Sequence, residues 1–150
     1  MTIQSLIAAN SERFRNMVVK PNPIAQSVAK RLLTGKARYQ AASAITHVPW
    51  EVIAVIHERE ASQSWRANIA NGDPWSRPTI HVPKGRGPFK SWEDAAVDAL
   101  TNCAPHAAQW HDWSWGGALT LLEMYNGLGY ANKGRPSPYI WSGKIGRAHV

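Results

Sequence analysis

Trp50-Glu-Val-Ile-Ala-Val-Ile-His-Glu-Arg-Glu60 follows Pro49, a residue suited to a helix first turn because its missing N–H costs nothing there. Val52, Ile53, Val55 and Ile56 make most of the circumference apolar, so the spacing predicts a buried helix. Two glutamates stand near its end, and helical geometry separates them. Glu60 lies below Ile53 and Ile56 on the apolar face, whereas Glu58 lies below Glu51 and Ala54 toward the polar edge. A carboxyl held against apolar surface has its charged form disfavoured, so its pKa rises. A general acid working near neutral pH needs that property. The competing reading of Glu60 is a solvated helix-end carboxylate paired with Arg59 or Arg66.

Helical spacing also predicts segments on either side. Upstream they run over Ile3–Val19, about Ile24–Leu33, and an Ala-rich Lys36–Thr46, with Lys20-Pro-Asn-Pro23 separating the first two. Downstream, periodicity vanishes between Ala61 and Lys90. Asn71-Gly-Asp-Pro74 and Lys84-Gly-Arg-Gly-Pro88 are turn chemistry, and Thr79-Ile-His-Val82 is the one plausible strand, in a small hairpin. A loop of this length inside a compact domain is usually functional. Ser91-Trp-Glu-Asp94 resembles a capping box, opening a helix with Ala96, Val97, Leu100, Cys103, Ala104 and Ala107 on one face. A last helix is expected at about Ala118–Met124. The resulting fold class is mainly α, one helical domain with a small β-hairpin or loop insertion after the Glu60 helix.

Composition narrows the function classes. The 150 residues are 44% hydrophobic, which suits a single domain burying roughly 68–70% of its unfolded surface and excludes a disordered tail. The longest apolar run, Val52–Ile56, is far too short to cross a bilayer. Met1-Thr-Ile-Gln-Ser5 lacks a basic n-region and Arg13 and Arg15 interrupt any h-region, so cytoplasmic synthesis without a signal peptide is expected, with export by another route. One cysteine excludes an internal disulfide and a multi-Cys zinc site. The net charge of +7 favours polyanionic partners: nucleic acid, anionic lipid or bacterial wall. Eight Trp against two Phe supply flat faces for sugar rings or bases, as well as core. Ile145-Gly-Arg-Ala-His-Val150 matches one translated frame of a common sequencing adapter, so 145–150 is set aside as a non-native tail. The natural chain is then expected to continue past Gly143 or Lys144. Without Arg147 the charge is +7 − 1 = +6, so the charge argument survives.

Asp73 is a second candidate carboxylate, since glycosidases generally pair an acid with another carboxyl group; capping its own turn is the alternative. His57-Glu-Arg-Glu-Ala61 fails the two-histidine zinc motif because residue 61 is Ala. Cys103 with His106 raises a thiol amidase, although Cys103 sits on the apolar stripe of its helix, as a buried small hydrophobe would. No phosphate-cradling glycine motif is present, and no cofactor or metal is expected.

His57-x-Arg59-Glu60-x-Ser62, Asn71-Gly-Asp-Pro74, His81-Val-Pro83 and Tyr125-Asn-Gly-Leu-Gly-Tyr130, in that order, resemble the lysozyme-like superfamily. The likeness is to lytic transglycosylases, goose-type lysozymes and phage or prophage endolysins, over roughly residues 45–143. It implies an α+β lysozyme-like fold and a muramidase in which Glu60 is the acid that cleaves the MurNAc–GlcNAc bond of peptidoglycan for host lysis. Tyr125 and Asn126 would line the glycan cleft, with Ser62 and Trp65 as further substrate contacts; Trp75 or Trp113 are other stacking candidates. Ala61 replaces the Ser that usually follows Glu in transglycosylases, and a Gly-Leu-Met-Gln segment is missing, which leaves hydrolysis slightly ahead. The implied partners are bacterial peptidoglycan and anionic wall polymers, met by a monomer after holin-type or other release, without specific nucleic acid. The alternatives are a cysteine amidase of the peptide stem and a non-catalytic basic module binding wall or nucleic acid.

Overall fold

A computed structural model describes residues 1–135; the proposed tail at 145–150 and the segment before it lie outside the described residues. The described chain is mainly helical: α1 (Ile3–Asn16), α2 (Pro23–Thr34), α3 (Lys36–Thr46), α4 (Trp50–Ala61), α5 (Trp92–Asn102), a 3-10 turn at Ala107–Gln109, α6 (Trp115–Tyr125) and a short α7 (Gly129–Asn132). It divides into two compact units, Met1–Ala29 with the chain from His111 onward, and Lys30–Trp110. No helix among the described residues is long and apolar enough to cross a membrane.

In the first unit α1 packs along α6. Thr2 caps α1 with a reciprocal box, its Oγ1 accepting from the Ser5 N–H at 3.0 Å and its own N–H donating to Ser5 Oγ at 3.0 Å. The helix stops at Asn16, short of the expected Val19, and Val18 and Val19 are exposed. The α6 helix starts three residues before the expected Ala118, with Ser114 as its cap. Gly116 and Gly117 read as helix-breaking by propensity, yet close contact demands them. A Cβ on Gly116 would overlap Ser11 Oγ and lie 2.7 Å from the Ile7 carbonyl oxygen. Helix propensity alone would have Gly116→Ala stabilise by up to about 1 kcal/mol. The overlap reverses the sign, and a net loss of about 1–3 kcal/mol is expected in thermal unfolding. Between the two helices Asn10, fully buried, donates to Thr120 Oγ1 (3.1 Å) and Glu123 Oε2 (3.0 Å), while Arg13 donates to Asn10 Oδ1 (2.8 Å).

In the second unit α3 packs against both α4 and α5. Tyr39, Ala42 and Thr46 form the buried stripe of α3; Val52, Ile53, Ala54, Ile56 and His57 are buried on α4. On α5, Ser91 caps through the Asp94 N–H at 3.0 Å. That helix ends at Asn102, ahead of Ala104-Pro105, so the expected continuation through Ala107 is replaced by the 3-10 turn.

The expected strand at Thr79–Val82 is not formed. Within the long loop the described residues hold one isolated β-bridge, Ala67 with Pro74. Side chains organise the rest. Thr79 is almost fully buried; its Oγ1 donates to Pro83 O (2.6 Å) and accepts from the Arg86 N–H (3.0 Å). Arg86 then reaches α5, donating Nε to Asp98 Oδ2 at 2.9 Å and pairing Nη2 with Oδ1. The basic turn at Lys84–Pro88 is thus tied to the core by its own arginine.

Candidate active site

The end of α4 sets the geometry. Ile53 and Ile56 are fully buried, and Glu60, one and two turns on, is half-buried at the helix end. Burial pushes its carboxyl up from 4.5 to about 7, with the nearby Arg59 guanidinium pulling weakly the other way. Burial thus favours the protonated carboxyl far above the pH at which a solvated glutamate ionises. Glu58, on the other flank, accepts the Gln63 amide at 2.6 Å.

After Ala61 the chain turns sharply through two successive left-handed residues, Ser62 (φ 48°) and Gln63 (φ 63°). Neither is glycine, so their surroundings must hold them there. The Ser62 N–H returns to Glu58 O (3.1 Å) and the Gln63 N–H to His57 O (3.2 Å). This turn leaves Ser62 exposed beside the end of the Glu60 helix and buries Gln63.

The sequence places His57 in a failed zinc motif and in the ordered motif set, without marking it as a core residue. It is fully buried, with Nε2 2.9 Å from Ser64 O and Nδ1 2.8 Å from the Tyr39 hydroxyl. A carbonyl oxygen only accepts, so Nε2 carries the hydrogen and Nδ1 accepts from Tyr39. Burial lowers the imidazole pKa and raises that of the Tyr39 phenol to about 12, so both stay neutral. Around them pack Trp65 and Trp92, with centroids 4.5 and 5.0 Å from the imidazole. Arg38 covers Trp65 at 4.2 Å and donates Nε and Nη2 to Glu93, the latter at 3.0 Å. Gly35 abuts the edge of Trp65, where a Cβ would lie 2.5 Å from the ring. The Trp65 ring, expected on sugar, is therefore engaged in packing. Trp92 is wholly core. Trp75 is half-buried and spends its indole N–H on Trp65 O at 2.7 Å.

The Asn71–Pro74 turn comes directly against the Glu60 backbone. Gly72 has φ 82°, and a Cβ there would lie 2.9 Å from the Glu60 carbonyl oxygen. Asp73 follows, nearly buried, with both oxygens occupied. Oδ2 accepts the N–H groups of Ile80 and His81, each at 2.9 Å, and Oδ1 meets His81 Nδ1 at 2.6 Å. These bonds, the His81 backbone bond foremost, hold its pKa below the usual carboxylate value. Asp73, expected as a second catalytic carboxylate, thus has three N–H groups on its two oxygens, two of them from the backbone of its own loop. Those bonds tie the Ile80–His81 backbone to the Asn71–Pro74 turn. Asp73→Ala should release the Ile80 and His81 amides to rapid hydrogen exchange while α3–α5 protection persists.

Tyr125 and Asn126 stand at the end of α6 in the other unit, Tyr125 half-buried and Asn126 exposed. Cys103 is buried and its thiol pKa is raised, first by burial and then by Asp98, whose Oδ2 is 4.0 Å from Sγ. Those conditions suppress the thiolate a cysteine amidase needs. Among the described residues no cluster of three or more His, Cys, Asp or Glu is placed to hold a metal ion. No protein-family model matches this chain, and neither a curated protein nor a solved structure matches it significantly.

Proposed function

We propose that this chain is a peptidoglycan muramidase of lysozyme-like fold, cleaving the MurNAc–GlcNAc bond with Glu60 as its general acid. The observation that carries the reading is the Glu60 carboxyl: half-buried at the end of an apolar helix, bordered by a long ordered loop, with its pKa near 7. A carboxylic acid that keeps its proton at neutral pH can donate it to a glycosidic oxygen as the bond breaks. Ser62, exposed one turn-residue beyond the helix, is a substrate contact in this reading. Tyr125 and Asn126 are assigned to the glycan by the ordered motif alone. The net charge of +7 would hold a monomer on anionic wall polymers.

The test is digestion of purified bacterial walls followed by mass spectrometry of the products. Muramidase action releases reducing muramic ends, or 1,6-anhydro ends if the sugar's own hydroxyl attacks, and Glu60→Gln releases neither. Cleaved peptide stems would instead indicate an amidase. Salt-sensitive wall binding without any product would leave a non-catalytic basic module.

A further inference from the structure

Asp73 directs its carboxylate to the Ile80 and His81 N–H groups and to the His81 ring, and the ring it holds presents an open nitrogen. Three of the four polar atoms of His81 are fixed. Its N–H donates to Asp73 Oδ2 (2.9 Å), its carbonyl accepts from the Asn71 side-chain amide (3.0 Å), and Nδ1 lies 2.6 Å from Asp73 Oδ1. A carboxylate only accepts, so Nδ1 carries the hydrogen, and in the neutral ring Nε2 keeps its lone pair. Nε2 makes no hydrogen bond with any described residue, and the side chain is 72% exposed. An exposed side chain normally retains its rotamer freedom; ordering one has an entropic cost and fixes the direction of its open atom. The same loop passes close to the helix end that carries the proposed acid: Gly72, next to Asp73, lies so near the Glu60 backbone that a Cβ on it would sit 2.9 Å from the Glu60 carbonyl oxygen. Ile80 and Val82, on either side of His81, are 71% and 81% exposed and offer apolar shoulders to a sugar ring.

We propose that His81, oriented by Asp73, is the catalytic base that takes the proton of the attacking water in the Glu60 reaction. This rests on the muramidase reading above. Glu60 passes its proton to the bridging oxygen as the C1–O bond breaks. The water oxygen bonds to C1 and its proton goes to His81 Nε2. Solvent then removes that proton and returns one to Glu60, so the net change is one water added across one glycosidic bond. With the base gone, the sugar's 6-hydroxyl can close on C1 instead, its proton returning to the Glu60 carboxylate, and the product becomes a 1,6-anhydro end.

His81→Asn keeps an N–H for Asp73 and removes the base. Reducing-end release from purified walls should fall about 10²-fold. The share of anhydro ends should rise, the melting temperature should hold, and added imidazole should restore part of the hydrolytic rate. Asp73→Asn is the second variant and should shift product ratio in the same direction. Chemical rescue separates a missing base from a displaced loop. An unchanged rate and product ratio in His81→Asn, or a loss with neither anhydro shift nor imidazole rescue, overturns the proposal. So do wild-type products that are anhydro throughout. Full activity of His81→Asn beside an inactive Glu60→Gln removes this inference and leaves the muramidase reading standing; wild-type protein that cuts no glycan removes both.

Discussion

Replacing Glu60 by Gln should abolish wall clearing and, in the same protein, raise the melting temperature at pH 8. Loss of a general acid lowers the rate by about 10²–10⁴-fold. The stability change has the opposite sign for the same physical reason. The carboxyl is raised from 4.5 to about 7 by burial. Between those values the unfolded chain releases this proton while the folded chain keeps it, so stability falls as pH rises. The penalty is absent below about 4.5 and complete above about 7. Glutamine has the same shape and never ionises. Its variant should therefore melt with wild type at pH 4 and above it at pH 8, by on the order of 1–3 kcal/mol after solvent screening. Thermal unfolding at pH 4, 6 and 8 measures this. An offset independent of pH would mean that burial is not what holds the proton. Wild-type activity should likewise decline as pH rises through about 7, where the acid form is lost.

His57→Phe should be the most destabilising conservative change in the second unit. It preserves ring volume but strips Ser64 O and the Tyr39 hydroxyl of their partners in a nearly dry cluster. Two groups left unsatisfied there cost about 2–5 kcal/mol together, a drop of roughly 5–15 °C in melting temperature. Adding Tyr39→Phe removes one of the stranded groups, so the double variant should lose less than the two single losses combined. The pH dependence is diagnostic. Burial lowers the His57 pKa from 6.5, so below that value the unfolded chain takes up a proton that the folded chain refuses. Wild type loses stability there, and the Phe variants lack that component of the loss.

The helices adjoining the proposed acid were legible because local signals agree with packing. Lys36–Thr46 was bounded correctly, and Trp50–Glu60 missed its end by one residue. The glycine pair at 116–117 misled because its purpose is close contact, of Gly116 with Ser11 and Ile7 on α1 and of Gly117 with Asp112, which propensity does not register. Thr79–Val82 has strand-like alternation, but the Ile80 and His81 amides go to the Asp73 carboxylate rather than to a ladder. The place of Glu60 on an apolar face was readable from period alone. The partners of Asp73 were not, because which atoms fill a carboxylate depends on how a thirty-residue loop closes. The buried role of His57 was hidden for a related reason: its partners, Tyr39 and Ser64, lie on either side of it in different elements.

The ring cluster around His57 carries a built-in optical consequence. Trp65 and Trp92 are 4.7 Å apart at 79° between planes, with Tyr39 5.3 and 5.7 Å from them. Indoles so close and so fixed couple their electronic transitions, giving a strong near-ultraviolet circular dichroism band that vanishes when side chains lose their order while helices persist. Phe14 on Trp115 lacks a second indole and contributes little at those wavelengths. The part of the signal that comes from this coupled pair tracks the Lys30–Trp110 unit, and following it beside the far-ultraviolet helix band during melting would report on that unit's side-chain order.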